Sequence, residues 1–224
     1  METPYIDHLS DTDYENIYEP SQDSFLLLDA LEIDLKFIEH ELNPNLCLEI
    51  GPGSGIIITA LSKRLSSSTL CLAVDINRYA ACATKRTAQR NGVEVECICG
   101  NLVDNVRCNL IDLLLFNPPY VVTADDEIRD AKSKLVHSWA GGKHGRRIID
   151  TLLVKLPEIL SPRGVLYLLL LKENKPEEVM QALTKLGFKS EKLIERRIPV
   201  STFRSLNTMN EHSVAKQSPG GSTM

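Results

Sequence analysis

From Leu46 onward, apolar runs of strand length alternate with segments of helical periodicity, and this alternation restricts the chain more than any other feature. The strand-like runs are Leu46 to Ile50, Leu70 to Asp75, Val95 to Cys99, Ile111 to Phe116, Val165 to Leu171 and Lys189 to Ile198. The helix-like segments between them are Ile56 to Leu65, Arg78 to Asn91, Ile148 to Ile159 and Pro176 to Leu186. Such alternation predicts an α/β doubly wound, mostly parallel sheet covered on both faces, because each crossover helix must bury its apolar stripe against the strands it connects. With 224 residues, 43% of them hydrophobic, the chain has material for one sizeable α/β domain and not for two. Ahead of the alternation, Ser21 or Asp23 is placed to cap a helix with an apolar stripe of Phe25, Leu28, Leu31, Leu35 and Ile38.

The first strand-to-helix turn, Gly51-Pro52-Gly53-Ser54-Gly55, lets the backbone turn tightly and approach a ligand. Its G-x-G-x-G spacing is not the dinucleotide fingerprint, and no Lys-Ser/Thr pair follows, so a ligand without a phosphate at the loop is favoured. Glu49 lies just before the loop. Asp75 ends the next strand, the position from which a carboxylate bonds both hydroxyls of a ribose.

At the end of the Ile111 to Phe116 run stands Asn117-Pro118-Pro119-Tyr120. An amide or exocyclic amino nitrogen is a poor nucleophile, since its lone pair is delocalised into the neighbouring π system. The Asn117 side-chain oxygen and the Pro118 carbonyl can each accept one N–H of such an NH2 group, orienting it and pushing electron density onto the nitrogen. Pro118 and Pro119 stiffen the loop, and Tyr120 offers a flat ring. An ordinary strand-ending turn uses the same residue types, so it is the order of glycine loop, acid and Asn-Pro-Pro-Tyr on successive strands that points to S-adenosylmethionine.

From about Tyr18 to about Ile198 the sequence resembles the eukaryotic and archaeal HemK-related methyltransferases, of the Rossmann-like class I fold. The likeness is carried by Tyr18-Glu19-Pro20 with Asp23 to Leu31, Leu48 to Gly55, Asp75-Ile76-Asn77, Phe116 to Val122, Trp139 to Gly142 with Gly145-Arg146, Leu160 to Gly164, and Lys172-Glu173-Asn174. The resemblance implies N5-methylation of the glutamine in the Gly-Gly-Gln motif of a class I release factor, with S-adenosylmethionine as methyl donor. It assigns cofactor or substrate contacts to Ser24, Glu49, Gly51, Asp75, Leu102 and Asn117. Gly53 and Gly55 join the cofactor loop, and Pro118, Pro119 and Tyr120 join Asn117 at the substrate. Asn101 stands where the family normally has an aspartate that accepts from the adenine amino group; its amide oxygen can accept, more weakly than a carboxylate. The resemblance also implies a lid formed by Tyr18-Glu19-Pro20. It further implies a heterodimer with a small zinc-binding activator that adds to an exposed strand, for which Val93 to Cys99 is the apolar candidate edge.

Two other functions compete. The loop also suits adenine N6 methylation of a flipped base, against which stand the net charge of −5 and the lack of a separate nucleic-acid-binding domain. A non-catalytic regulatory variant is suggested by Asn101 and by the C-terminal sequence. Residues 1–17 are expected as an N-terminal segment, 18–198 as the methyltransferase domain, and 199–224, rich in Ser, Asn, Gln, Gly and Pro, as a disordered tail that leaves the usual C-terminal hairpin incomplete. The acidic stretch within Val121 to Ala140 is expected as a substrate-facing loop anchored by Trp139. The basic cluster Lys143, His144, Arg146 and Arg147 is either solvated charge or a local basic patch, and Arg196-Arg197 is solvated charge. Cys97, Cys99 and Cys108 match no tetrahedral metal spacing, so no metal is expected. The six cysteines are expected as mostly reduced core residues. No apolar run approaches the ~20 residues of a membrane span, and Met1 to Asp13 lacks a secretory signal's features. The expected location is the cytoplasm, and also the nucleus.

Overall fold

The computed structural model describes residues 1–104, 106–122, 140–200 and 208–220. Seven strands form one sheet: β1 (Leu46–Ile50), β2 (Leu70–Asp75), β3 (Glu96–Cys99), β4 (Ile111–Phe116), β7 (Leu160–Leu171), β8 (Phe188–Val200) and β9 (Thr208–Pro219). Their order is β3-β2-β1-β4-β7-β9-β8. The short strands β5 (Val121–Val122) and β6 (Ala140–Gly142) pair with each other outside it. The pairs β1/β2, β1/β4, β2/β3 and β4/β7 are parallel, and β9 runs antiparallel to both β7 and β8.

The apolar runs of β4 and β7 lack the alternation of a half-exposed strand because both sheet faces are covered. Leu113, Leu115, Tyr167 and Leu169 pack against α2 (Gln22–Ile33) and α3 (Ile56–Ser62) in one core. Leu114, Phe116, Leu166, Leu168 and Leu170 pack against helices Arg147–Leu153, Leu156–Ile159 and Pro176–Lys185 in the other. Strand order reverses between β1 and β4, so the connections leaving their C-terminal ends turn to opposite faces of the sheet and open a crevice. The glycine loop and Asn117 follow those two strands directly.

Three sequence expectations are corrected. The segment 199–224 is not a tail without structure: β9 lies between β7 and β8, with Leu166 opposite Gln217 and Leu171 opposite His212, and it completes the sheet. A strand flanked on both edges and covered on both faces needs no period-two pattern, and small residues such as Ser213 and Ala215 fill its buried positions. The stripe expected on the first long helix is partly different: Leu28, Leu31 and Ile38 are buried as expected, but Phe25 is not. Leu26, Leu27, Ala30 and Leu31 are its fully buried residues, while Phe25 faces outward, because the helix touches α3 as well as the sheet. Finally, Ile148 to Ile159 is two helices and not one, since Pro157 has no N–H to give the carbonyl a turn earlier.

Residues 1–17 strap onto α4 (Arg78–Arg90). Asp7 pairs with Arg90 (3.0 Å) and Asp13 with Arg86, Tyr5 exchanges hydrogen bonds with Asn91, and Leu9 and Ile17 pack on Ala80 and Ala83. The strap delivers Tyr18 to the crevice, its carbonyl oxygen 3.8 Å from where a Cβ on Gly53 would stand.

Candidate active site

The glycine-loop side of the crevice is shaped by backbone. Gly51, Gly53 and Gly55 have φ of 66°, 57° and 80°. Gly55 is the most constrained: a Cβ there would stand 2.7 Å from the Thr84 Cα. That close approach lets α4 hold the loop, with the Thr84 hydroxyl donating to the Gly53 carbonyl (3.3 Å) and the Thr87 hydroxyl to the Ser54 carbonyl (2.7 Å). Glu49, only 1% exposed, turns under the loop and accepts the Ile58 N–H at 2.8 Å, in the first turn of α3. Burial pushes its carboxyl up to about 8; the Ile58 N–H opposes the rise and the nearby Asp75 charge adds to it.

Asp75 ends β2, and burial raises its pKa against the N–H groups of Asn77 and Gly53. It accepts the Asn77 N–H at 2.8 Å. Two acids whose charged forms are poorly solvated make this side of the crevice receptive to hydroxyl donors and cations. Farther along the wall, the exposed Asn101 donates its side-chain N–H to Asp104 (2.9 Å), which leaves the amide oxygen to accept. Leu102 holds φ 47°, a left-handed conformation that a bulky side chain seldom adopts. Ser24 is buried at the start of α2, its N–H donating to Asp23 at 2.7 Å.

The Asn117 side is built from side chains. The Asn117 amide donates through Nδ2 to Asp23 Oδ2 (3.1 Å), and the Tyr120 hydroxyl donates to the same oxygen (2.6 Å). Asn117 Oδ1 is buried and makes no hydrogen bond among the described residues. Asp23 Oδ1 takes the Ser21 hydroxyl at 2.6 Å and lies 3.4 Å from the Tyr18 hydroxyl. Asp23 therefore does not cap α2, as the sequence suggested, and Ser21, which occupies the cap position, makes no side-chain cap bond. Tyr120 is 9% exposed, with its ring edge-on to His212 at 5.8 Å. Its hydroxyl anchors the loop, and its ring is not the open stacking platform expected from sequence. Burial, followed by the Asp23 charge, raises the Tyr120 pKa far above a free tyrosine, and burial first of all pushes Tyr18 up to about 12.

Behind the loop, Asn174 is fully buried. It donates to the carbonyls of Tyr120 and His144, both at 2.9 Å, and accepts the Leu171 N–H at 2.7 Å. Gly145 (φ 64°) permits this clamp, since a Cβ there would lie 1.8 Å from the Tyr120 carbonyl oxygen.

The structure thus gathers Ser24, Glu49, Gly51, Gly53, Gly55, Asp75, Asn117, Pro118, Pro119 and Tyr120 around the strand ends, with Asn101 and Leu102 beyond Asp75. Asn174 and His212 were not singled out from sequence, and Asp23 was read only as a helix cap, although Asp23 and Asn174 sit in quoted motifs; an acid beside an apolar helix start and an Asn after a strand were the available signals. Arg146 is engaged by Asp150 (2.8 Å) and Glu178 (2.9 Å), and Arg196 by Asp29 (2.8 Å), so these are structural ion pairs. Only Cys47 and Cys71 are buried, whereas Cys82, Cys99 and Cys108 are exposed, contrary to the expected core role. Trp139 and the acidic stretch before it lie outside the described residues.

The family profile of the methyltransferase small domain matches residues 23–141. The Homo sapiens protein "Methyltransferase HEMK2" is 36% identical over 210 residues, covering 91% of this chain and 94% of that protein. The Schizosaccharomyces pombe "eRF1 methyltransferase catalytic subunit mtq2" is 33% identical over 210 residues, covering 88% and 90%. Among solved structures, the E. cuniculi Mtq2–Trm112 complex, described as responsible for methylation of the eRF1 translation termination factor, superposes with a TM-score of 0.66 at 25% identity. That match covers 91% of this chain and 98% of the other.

Proposed function

Since the chain belongs to the methyltransferase small domain family and groups there with the HemK-related enzymes, we propose that it transfers a methyl group to the side-chain nitrogen of the Gly-Gly-Gln glutamine in a class I release factor. The observation that carries this reading is Asn117, whose Nδ2 is bound to Asp23 while its buried Oδ1 has no partner among the described residues. A buried acceptor without a donor is costly. An amide NH2 supplies the missing donor.

The crevice residues fit S-adenosylmethionine. Asp75 is placed for the ribose hydroxyls, the Asn101 amide oxygen for the adenine amino group, and the space over Gly51, where a Cβ would meet nothing within 4 Å, for close approach of the ligand. Glu49 and Asp75, both held toward their neutral forms by burial, are relieved by a cationic ligand. When bound, this cofactor supplies an electrophilic methyl group on a sulfonium centre.

Asn117 Oδ1 and the Pro118 carbonyl then accept the two N–H bonds of the glutamine amide and turn its nitrogen lone pair out of conjugation. Asp23, Tyr120 and Asn174 keep those acceptors still, so little reorganisation is needed as positive charge grows on the nitrogen. The nitrogen would gain one bond to carbon as the methyl's bond to sulfur breaks and a neutral thioether leaves, and it would give up one proton, which passes to water because an N-alkylated, protonated amide is a strong acid. Asn117 is an acceptor throughout and not a base.

We assign the free edge of β3 to a zinc-binding activator subunit. Among the described residues β3 pairs with β2 alone, and Ile76 and Ile98 are exposed beside it. The test is methyl transfer from labelled S-adenosylmethionine to a release factor by the chain co-expressed with an activator. Transfer must vanish when the motif glutamine is replaced. Label appearing on an oligonucleotide instead would sink the glutamine reading in favour of adenine.

A further inference from the structure

We propose that Asp23 is the positioning residue that fixes which end of the Asn117 amide faces the acceptor, and thereby makes the site select an amide over an isosteric carboxylate. The proposal rests on the glutamine reading above and adds a source for its specificity.

An asparagine amide has a donor end and an acceptor end of nearly equal size, so an Asn alone in a loop reads NH2 and C=O groups alike. Asp23 removes that ambiguity. Its carboxylate is acceptor-only when ionised, and its Oδ2 lies 3.1 Å from the Asn117 amide. The flipped amide would set two oxygens against each other at that distance within a buried cluster, where repulsion is poorly screened. Asp23 itself cannot yield, being 2% exposed and bonded by the Tyr120 hydroxyl (2.6 Å), the Ser21 hydroxyl (2.6 Å) and the Ser24 N–H (2.7 Å). The Asn117 oxygen is thus held toward the substrate before any substrate arrives. A glutamate in place of the glutamine would bring its own oxygen against Oδ1 and the Pro118 carbonyl, and would be repelled; its discrimination follows from unpaired acceptors and not from size.

The interchange of the two residues separates this role from simple structural support. Asp23→Asn keeps the shape but lets either amide flip. It is expected to lower kcat by about tenfold to a hundredfold, a part of the ~10²–10³ carried by a full transition-state contact, with the Kd for S-adenosylmethionine within about twofold. Asn117→Asp sets two carboxylates together and falls further. The double variant Asp23→Asn/Asn117→Asp restores one donor facing one carboxylate, in the reverse sense, and is expected to recover at least tenfold over Asn117→Asp alone. A glutamate-containing release-factor peptide should inhibit Asp23→Asn but not the parent.

No recovery in the double variant, or a loss of cofactor affinity in Asp23→Asn as large as its loss of kcat, would place Asp23 in the cofactor wall and overturn the proposal. A readout free of substrate is the side-chain amide of Asn117 in the activator-bound protein, observed by 15N NMR. Its protons are expected to exchange slowly in the parent and quickly in Asp23→Ala. Equal exchange in both defeats the proposal. Slow exchange in a parent that fails to methylate glutamine would sustain it while discarding the glutamine reading.

Discussion

The glycine-loop side of the crevice draws Glu49, the Gly51–Gly55 turn and Asp75 from one continuous strand-turn-helix-strand stretch. The Asn117 side depends on Asp23, 94 residues earlier in the chain, and on Asn174, 54 residues beyond the Tyr120 carbonyl it holds. The first side is made by backbone conformation and burial, the second by hydrogen bonds between distant side chains. Damage to the first should therefore appear in stability and cofactor affinity, and damage to the second in turnover.

The largest effect is expected from Asn117→Ala. Removing the acceptor should reduce kcat/KM by on the order of 10²–10³-fold, as for loss of one preorganised transition-state contact, with cofactor affinity nearly unchanged in calorimetry. A fall in cofactor affinity of the same size would break the division, because the two sides would then act as one.

Gly55→Ala attacks the other side. The new methyl would stand 2.7 Å from the Thr84 Cα at a φ of 80°, so either the loop or α4 must move. A loss of about 1–3 kcal/mol of stability is expected for such overpacking and left-handed strain, read by denaturant unfolding. Unchanged stability would show that the contact between α4 and the loop carries little.

Glu49 sharpens the comparison through pH. Its pKa rises from 4.5 to about 8 on burial. Below 4.5 the folded and unfolded chains both hold the proton, and the stability associated with it is fully present. Between 4.5 and about 8 only the folded state retains the proton, so stability is lost as pH rises through that window. Glu49→Gln cannot titrate and its amide oxygen can still accept the Ile58 N–H. Without cofactor it should match the parent near pH 4.5 and exceed it near pH 8.5 by several kcal/mol, at most about 5, a rise of roughly ten degrees in melting temperature. A parallel offset at both pH values would show that this carboxyl is not desolvated.

The same division explains what could be read before the structure. β1, β2 and β4, the glycine loop and Asp75 are local patterns, since strand length, glycine spacing and a strand-ending acid are visible within a dozen residues. Asp23 was visible only as a helix-start acid, because nothing in Gln22-Asp23-Ser24 states that Asn117 and Tyr120 will meet it. Asn174 gave no more sign, its role being fixed by the carbonyls of Tyr120 and His144. β9 escaped for a different reason. Sequence reading looks for alternation, which a strand lying between two others under two covered faces does not need, and residues such as His212, Ser213 and Gln217 made it look like a tail.

Asn101 tests how far the local reading extends, and the expected effect is the smallest. Taken alone, Asn101→Asp restores the acid usual in the family and should strengthen the bond to an adenine amino group. In the folded chain, however, Asn101 donates to Asp104 at 2.9 Å, and Asp104 pairs with Lys155 at 2.5 Å. The substitution would remove that donor and set two carboxylates side by side at an exposed position, where repulsion is modest but of a size to cancel the gain. Cofactor Kd is therefore expected to change by less than about threefold in Asn101→Asp and to tighten severalfold only in Asn101→Asp/Asp104→Asn, where the donor is returned and one charge removed. If the single substitution tightens binding as much as the double, the pairing with Asp104 has no influence on the adenine wall, and the local sequence pattern alone governs this position.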